Sequence, residues 1–327
     1  MRPARALAEE LLLRVRASGR PALLMLAHWA LGFPCYEMGD LLLAREQFEM
    51  AISLYRERQL PPALRMIGGI DNEVQSLAFL AYTLWTLGYP EQAIKRVNEA
   101  IELARAMSHP FSLAFAEQNA AGLCLFRGAG RAAQAQAETV ITLCAEHGIT
   151  EISTYATILI GAAVVKEGLF EEGIAQIQTG LAGLEATGSG LARPFYLGYL
   201  AAAYLGIGRL DDASSTLAQA FICADENSDR QHEAELYRLK AELILAQENS
   251  NKAQAQNWLQ HAVESARRQS AKSLELRATV SLASLLRDTG RREEARTMLA
   301  EIYQWFTEGF DTADLRDGKA LLDELSA

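Results

Sequence analysis

Hydrophobic and small residues recur along the chain with a period of about 40 residues, which is typical of repeat proteins. Six glycines mark this period, and the middle four follow one another at intervals of forty positions: Gly39, Gly88, Gly128, Gly168, Gly208 and Gly290. Ser250 fills the position between the last two where the register would place another. Five residues after each of these seven anchors lies a small residue, and nine residues after it lies a mostly larger apolar one. The pattern predicts seven copies of one structural unit.

Each unit is predicted to be two amphipathic helices joined at its anchor. Glycine readily adopts the left-handed backbone conformation that such a turn needs. Small residues on both sides of the turn let the two helices approach closely, and larger apolar residues fill the groove between them. One pair cannot bury its apolar face alone, so successive pairs must stack. We therefore predict an all-α protein, a right-handed α-solenoid of about seven helix-turn-helix units.

The whole chain, 1–327, is interpreted as a single solenoid domain. Its seven units span 25–306, and 307–327 is expected to form a C-terminal capping helix. The segment 1–20 has the spacing of a second helix, so it is either an N-terminal cap or half of a unit cut from a longer array, and the register favours the cut. Nine extra residues between the first two units fall in Arg56–Asp71, which we interpret as an ordered loop because it contains paired prolines and glycines.

The aromatic tail after the last unit is predicted to cover the exposed end of the stack, as a terminal repeat must. Three aromatic residues would form that cover: Trp305, Phe306 and Phe310. Asp311 has the position of an N-cap for the final helix. One apolar face of that helix is expected to carry Leu315, Leu322 and Leu325.

The order of a small residue, a turn and then A-x3-(L/V/F)-x2-A resembles the tetratricopeptide repeat (TPR) pattern over residues 25–306. The usual TPR period is shorter, at about 34 residues, so the resemblance implies longer helices or longer links in this chain. HEAT-type repeats have a period of about 40 residues as well, but they lack this alanine spacing. A TPR-like superhelix is therefore implied.

Three stretches show a more specific resemblance: Leu84–Ala116, Glu233–Ala246 and Ala266–Leu315. They resemble the C-terminal TPR region of large bacterial regulators, in which an NTPase module, often preceded by a class III adenylate/guanylate cyclase domain, comes before the repeats. The run ending in "WFTEGFDTADL" is the most specific part, and Ser270 departs from the glycine of that pattern. The resemblance implies a sensor or scaffold segment and not a catalytic one.

Composition and motifs argue against catalysis, metal sites and nucleic-acid binding. The chain has 41 acidic against 31 basic residues, whereas binding to phosphate backbones needs a basic face. It contains no G-x-x-x-x-G-K-[ST] phosphate loop, and its five histidines and four cysteines lack metal-ligand spacing. No apolar run approaches the roughly 18 residues that span a membrane. We expect a cytoplasmic, non-enzymatic chain with free thiols and without cofactor, metal, nucleic-acid or membrane partner.

The first helix of each unit carries a column of aromatic residues that is expected to face the inside of the superhelix. Phe115, Tyr155 and Phe195 each lie thirteen positions before one of three successive anchors. With the neighbouring columns they define nine candidate residues for a groove that binds a ligand or partner: Tyr82, Trp85, Phe115, Gln118, Asn119, Tyr155, Phe195, Tyr199 and Arg238. The groove is expected to be aromatic with few charges, and only Arg238 and Asn119 suit a carboxylate clamp. Alternatively, the aromatic column packs one unit against the next.

These features lead to two functional hypotheses. In the first, the chain is a non-catalytic scaffold or sensor that binds a protein or peptide, including an upstream catalytic domain of the same polypeptide. In the second, the groove binds a small effector, as in maltose-type transcriptional activators with long-period TPR-like superhelices. The sequence leaves the oligomeric state open.

Overall fold

The computed structural model describes residues 1–18, 21–57, 66–188, 190, 192–247 and 251–327. The described part contains sixteen helices: α1 (Arg2–Ser18), α2 (Pro21–Glu37), α3 (Leu41–Glu57), α4 (Asn72–Leu87), α5 (Pro90–Ala106), α6 (Pro110–Phe126), α7 (Gly130–His147), α8 (Thr150–Lys166), α9 (Phe170–Thr187), α10 (Arg193–Gly206), α11 (Leu210–Asn227), α12 (Glu233–Ala246), α13 (Lys252–Arg268), α14 (Lys272–Asp288), α15 (Arg292–Tyr303) and α16 (Ala313–Ser326). Two antiparallel two-residue strands, β1 (Met66–Ile67) and β2 (Ile70–Asp71), precede α4.

The helices pack neighbour to neighbour, from α1 to α16, as an all-α solenoid. Seven consecutive pairs, from α2–α3 to α14–α15, coincide with the seven predicted units. All six anchor glycines have the left-handed conformation, with φ between 73° and 95°. The predicted fold class is thereby confirmed. The seventh anchor, Ser250, lies outside the described residues.

Small residues in the predicted columns are buried between the two helices of each unit. The alanines five residues after the anchors are fully buried, from Ala44 to Ala295. The closest approach joins α8 and α9. A Cβ atom built on Gly161 would lie 2.7 Å from the Gly173 carbonyl oxygen, and that distance is far below van der Waals contact. Positions 161 and 173 therefore need glycine, because there is no room for a side chain between α8 and α9.

The superhelix curves until its last units contact its first ones. The Ser273 hydroxyl at the start of α14 donates a hydrogen bond of 2.6 Å to the carbonyl oxygen of Trp85 near the end of α4. The amide of Arg230, between α11 and α12, donates a bond of 2.7 Å to the carbonyl oxygen of Glu37 at the end of α2. Residues far apart in the sequence therefore meet across the inner space.

The tail has a different role from the predicted cover of the stack end. Trp305 lies against Gly88 and against the ring of Tyr89, with ring centroids 5.5 Å apart, and both of these residues belong to the second unit. The Glu308 carboxylate accepts hydrogen bonds of 2.9 and 3.2 Å from the amides of Glu91 and Gln92, so it caps α5 from across the superhelix. The tail is thus a strap that joins the last unit to the second.

The predicted N-cap at Asp311 is wrong. The final helix begins at Ala313, its N-cap position is Thr312, and the Asp311 carboxylate instead pairs with Arg127 at the end of α6. This ion pair forms in place of the cap because the turn after α6 lies against the tail. There the amide of Ala313 also donates a hydrogen bond of 3.1 Å to the carbonyl oxygen of Arg127. Leu315 and Leu325 are buried in α16 as predicted, and Leu322 is partly buried.

Two of the predicted segments, the loop Arg56–Asp71 and the helical segment 1–20, fall partly outside the described residues. Of Arg56–Asp71, residues 58–65 are not described, and the remainder forms the end of α3 and the β1–β2 hairpin. Asp71 then caps α4, because its carboxylate accepts bonds from the amides of Glu73 at 2.9 Å and Val74 at 3.2 Å. Residues 1–18 form α1, which packs on α2. The interpretation of this segment as a cap or as half a unit stays an expectation.

Candidate functional site

The inner space contains two adjacent, partly open chambers. The aromatic chamber has a volume of about 320 Å³ and is bounded by α2, α4, α6, α8 and α10; its walls include Trp29, Phe33, Tyr36, Phe79, Phe111 and Tyr196. The polar chamber has a volume of about 330 Å³ and is bounded by α4, α6, α8, α10, α12 and α14; its walls include Lys166, Glu235 and Arg277. Both volumes lie at the lower end of the range for small-molecule sites.

All nine candidate residues line these chambers. Five face the aromatic chamber: Tyr82, Phe115, Gln118, Asn119 and Tyr155. Three face the polar chamber, namely Trp85, Tyr199 and Arg238, and Phe195 faces both chambers. The structure thus brings together side chains from α4, α6, α8, α10 and α12. Their role in binding a ligand stays a prediction.

A stack of rings separates the two chambers. Phe195 lies on the imidazole of His232 with ring centroids 4.1 Å apart and planes 20° apart, and Phe126 lies 5.7 Å from Phe195. Burial lowers the pKa of His232 to about 3, so this ring is neutral at physiological pH. A neutral ring can stack here without burying a charge.

The aromatic column packs the units together and lines the chamber at the same time. Phe115 is 5.8 Å from Phe79 of the preceding unit, and Tyr155 is 5.8 Å from Tyr196 of the following unit. Both Phe115 and Tyr155 remain only half-buried, because one side of each ring faces the chamber. The two interpretations of this column are therefore compatible.

Two acidic side chains lie buried at one end of the aromatic chamber. Glu37 is 3% exposed and faces the chamber, and Asp229 is 5% exposed and close enough to Glu37 for their charges to interact. Burial, followed by the Asp229 charge, raises the pKa of Glu37 well above its ordinary value. Burial likewise raises the pKa of Asp229 to about 7, although Arg230, the Gln231 amide and the Met1 amino group oppose it. Burial thus makes both carboxyl groups harder to ionise than they are in water.

This pair predicts an unusual pH dependence of stability. Folding raises the pKa of Asp229. Its contribution to the free energy of unfolding is therefore fully present below its unfolded pKa near 4 and is lost as the pH rises through about 7. We expect Asp229→Asn to melt at least about 2 °C above the wild type at pH 8 and to lose this advantage at pH 4. Thermal melts across this range test it, with exposed Asp211→Asn as the control; equal melting of the Asp229 variant and the wild type at pH 8 would contradict it.

The polar chamber is more charged than predicted. Glu235 lies between Arg238 and Arg277, with nitrogen–oxygen distances of 2.7 and 3.7 Å, and Arg277 also binds Asp314 at 2.7 Å. Burial alone would raise the pKa of Glu235, but the two guanidinium groups outweigh it and hold the pKa well below its usual range. The expectation of few charges is therefore wrong for this chamber, because α14 curves back and brings Arg277 into it.

Arg238 and Asn119 do not form a carboxylate clamp. Arg238 is already paired with Glu235 and Glu242 on its own helix. The Asn119 amide donates a bond of 2.7 Å to the carbonyl oxygen of Phe115 in α6. Their donors are therefore engaged within single helices, and the two residues line different chambers.

Some lining residues were missed although they obey the same periodicity. Trp29 and Phe33 lie ten and six positions before Gly39, in the columns that gave Gln118 and Tyr82. Arg277 lies thirteen positions before Gly290, in the column of Phe195. Extending the columns to the first and last units would have found these residues. Other lining residues lie outside the columns, where the period gives no signal: Glu37 at the end of α2, and Gln231 and His232 in the turn before α12.

No group of three or more histidine, cysteine, aspartate or glutamate side chains in the described ranges is arranged to hold a metal ion. No helix in the described part is both long and apolar enough to cross a membrane. All four cysteines lie in described segments and carry free thiols, of which Cys35 and Cys144 are buried.

Comparison with known proteins supports the fold. Residues 74–107 match the tetratricopeptide repeat family. A Rap protein solved with competence and sporulation factor is 13% identical, with a TM-score of 0.64 over 93% of this chain and 76% of that one. The Rap conjugation regulator of plasmid pLS20, solved with the Phr* peptide, is 11% identical, with a TM-score of 0.62 over 93% and 75%. The quorum sensor NprR from B. thuringiensis is 14% identical, with a TM-score of 0.56 over 93% and 83%.

No curated protein matches the chain in sequence. At these low sequence identities, the similar structures are evidence for the fold alone. Together with the matched repeat, they show that the chain forms a TPR-like superhelix.

Proposed function

We propose that this chain is a non-catalytic sensor or scaffold that binds a peptide inside its superhelix. The observation that carries the proposal is that all nine residues predicted for the concave face line two adjacent chambers. Two proteins of similar fold were solved with a signalling factor or a peptide, namely competence and sporulation factor and Phr*. Aromatic walls suit a peptide, because rings offer a large apolar contact area with few rotatable bonds.

We further propose that the module regulates a catalytic domain of a larger cytoplasmic signalling protein in a bacterium. This rests on the resemblance of Ala266–Leu315 to the TPR region of NTPase- and cyclase-type regulators. Reading the genomic frame upstream of Met1 tests it. A frame without any catalytic domain would refute the regulatory half of the proposal and leave peptide binding untouched.

A small-molecule effector is the second candidate for the ligand. It is favoured by the size of the chambers, since about 320 and 330 Å³ suit a compact ligand better than a long extended peptide. A ligand that binds the folded state raises the melting temperature. Parallel screens of peptides and metabolites therefore distinguish the two candidates by which class stabilises the protein.

Phe195 is the residue to change, because its ring faces both chambers. We expect Phe195→Ala to weaken binding of any ligand found in these screens at least about tenfold, since it removes a stacked ring from the contact surface. Isothermal titration calorimetry measures the affinity, and circular dichroism verifies the helical fold of the variant.

The matched control is Phe310→Ala, which truncates an exposed ring in the tail, away from both chambers. Its affinity should stay within about twofold of the wild type. Equal loss of affinity in both variants, or none in Phe195→Ala, would refute binding in the chambers. Failure of every peptide and every metabolite to bind the wild type would refute the proposed function itself.

A further inference from the structure

The aromatic chamber contains polar atoms that lack a partner within the protein. The Glu37 carboxylate accepts a bond of 3.1 Å at Oε1 from the Gln231 side-chain amide, but its other oxygen, Oε2, has no hydrogen-bond partner among the described residues. The same holds for Oε1 of Gln231, whose orientation follows from that bond. Glu37 and Gln231 are 3% and 2% exposed. Two buried acceptors thus face one chamber unsatisfied, and such atoms are costly without a donor.

The charged side chains that line the chamber have one sign. Its charged lining residues within the described segments are Glu37 at the buried end and Glu151, which is exposed at the start of α8. No described lysine or arginine lines it, and the imidazole of His232 is neutral because burial lowers its pKa to about 3. A carboxylate at Glu37 therefore has no basic side chain against it in the lining of this chamber; the nearby Asp229 repels it, and the Met1 amino group, which is not part of the lining, attracts it.

The walls favour the same kind of ligand as the buried carboxyl group. Trp29, Phe33, Tyr36, Phe79 and Tyr82 line the chamber that Glu37 faces. The faces of aromatic rings carry negative electrostatic potential and attract cations, more strongly when water is excluded. An ammonium or guanidinium group donates hydrogen bonds and accepts none, which matches two acceptors without donors.

We propose that the aromatic chamber binds a cationic group, an ammonium or guanidinium on an apolar stem, which pairs with Glu37 and Gln231. The inference rests on the proposed function and specifies its ligand. The cation could belong to a basic side chain of a peptide or to a small organic amine. Their chemistry at Glu37 is the same, and the experiment separates the two sources.

Matched pairs of probes test the proposal by isothermal titration calorimetry. The small-molecule pair is phenethylamine and phenethyl alcohol, which differ in charge and hardly in shape. The peptide pair is acetyl-Phe-Lys-Phe-amide and its norleucine analogue. We expect the cationic member of at least one pair to bind the wild type at least about tenfold more tightly than the neutral member, a preference of about 1.4 kcal/mol. The pair that shows it identifies the source.

Glu37→Gln tests whether this carboxylate produces the preference. The glutamine keeps the shape and can still accept the bond from Gln231, so the fold should persist with an unchanged or higher melting temperature. We expect the preference for the cation to fall below about twofold while the neutral probe binds as before. Glu46→Gln, which changes an exposed glutamate without an ion pair among the described residues, should keep the full preference.

Each other outcome overturns the inference in a recognisable way. Equal binding of the cationic and neutral probes by the wild type leaves the proposed function intact and refutes cation selection. An undiminished preference in Glu37→Gln places the cation elsewhere. If none of the probes binds while other peptides stabilise the protein, the inference fails alone; if no peptide or metabolite binds, the proposed function fails with it.

Discussion

Gly161→Ala is expected to destabilise the protein by about 3 kcal/mol, at the upper end of typical overpacking costs. The added methyl carbon would lie 2.7 Å from the Gly173 carbonyl oxygen and 2.9 Å from the Ile177 amide nitrogen. Both are backbone atoms of α9, so no side-chain rotation can relieve the clash, and the two helices must separate. Urea unfolding followed by circular dichroism measures the loss.

Gly198→Ala is the matched control, since it makes the same change in another first helix. Its added carbon would meet only the ends of two leucine side chains, Leu236 at 3.4 Å and Leu239 at 3.7 Å. Alanine is also a better helix former than glycine by about 1 kcal/mol. We expect this variant to be as stable as the wild type or more so. Similar stabilities of the two variants would contradict the prediction, because they would show that α8 and α9 can separate at little cost.

Arg277→Met is expected to cost about 2 kcal/mol, less than for a fully buried ion pair, because the Arg277 and Asp314 side chains are 26% and 18% exposed. Its guanidinium binds Asp314 of α16 through bonds of 3.1 and 2.7 Å and lies 3.7 Å from Glu235 of α12. Burial lowers the pKa of Arg277, but these two carboxylates outweigh burial and raise it above its ordinary value. Methionine keeps the apolar stem and leaves both carboxylates without this partner, which should also loosen α16.

Arg296→Met provides the comparison for this prediction. Arg296 also pairs with a carboxylate, that of Glu293 at 2.9 Å, but the Glu293 side chain is 78% exposed. Exposed ion pairs contribute between about 0 and 1 kcal/mol to the free energy of unfolding. The melting temperature of Arg296→Met should therefore hardly differ from that of the wild type. Thermal unfolding of both variants measures the difference. Equal effects would mean that water reaching the polar chamber screens the Arg277 pair as fully as a surface pair.

Closure of the superhelix gives the specific tail sequence a structural explanation. Glu308 supplies the cap that α5 lacks, because its own N-cap residue, Tyr89, makes no side-chain capping bond. Gly309 has a φ of 76°, and a Cβ atom there would overlap Pro90 at 2.0 Å. The segment that resembles bacterial regulators most specifically is therefore the one that joins the last unit to the second.

Much of the candidate site could be predicted from periodicity. Tyr82, Phe115, Tyr155 and Phe195 were assigned to one face because helices of equal length repeat at equal spacing, so equivalent positions point the same way. Glu37 and Gln231 could not be found in this way. Glu37 ends α2 and Gln231 lies in the turn before α12, so they are 194 residues apart in the sequence, yet one hydrogen bond joins them.

The sequence by itself determined the all-α solenoid, its seven helix pairs and the glycine turns, because these depend on contacts within one unit or between neighbours. Only the tertiary structure decided that the superhelix closes, that the tail caps α5 and that Glu37 meets Gln231. The curvature is a small rotation at each unit that accumulates over seven units. The sequence of one unit does not reveal this accumulated rotation. The residues that meet across the closure therefore cannot be paired from the sequence around each of them.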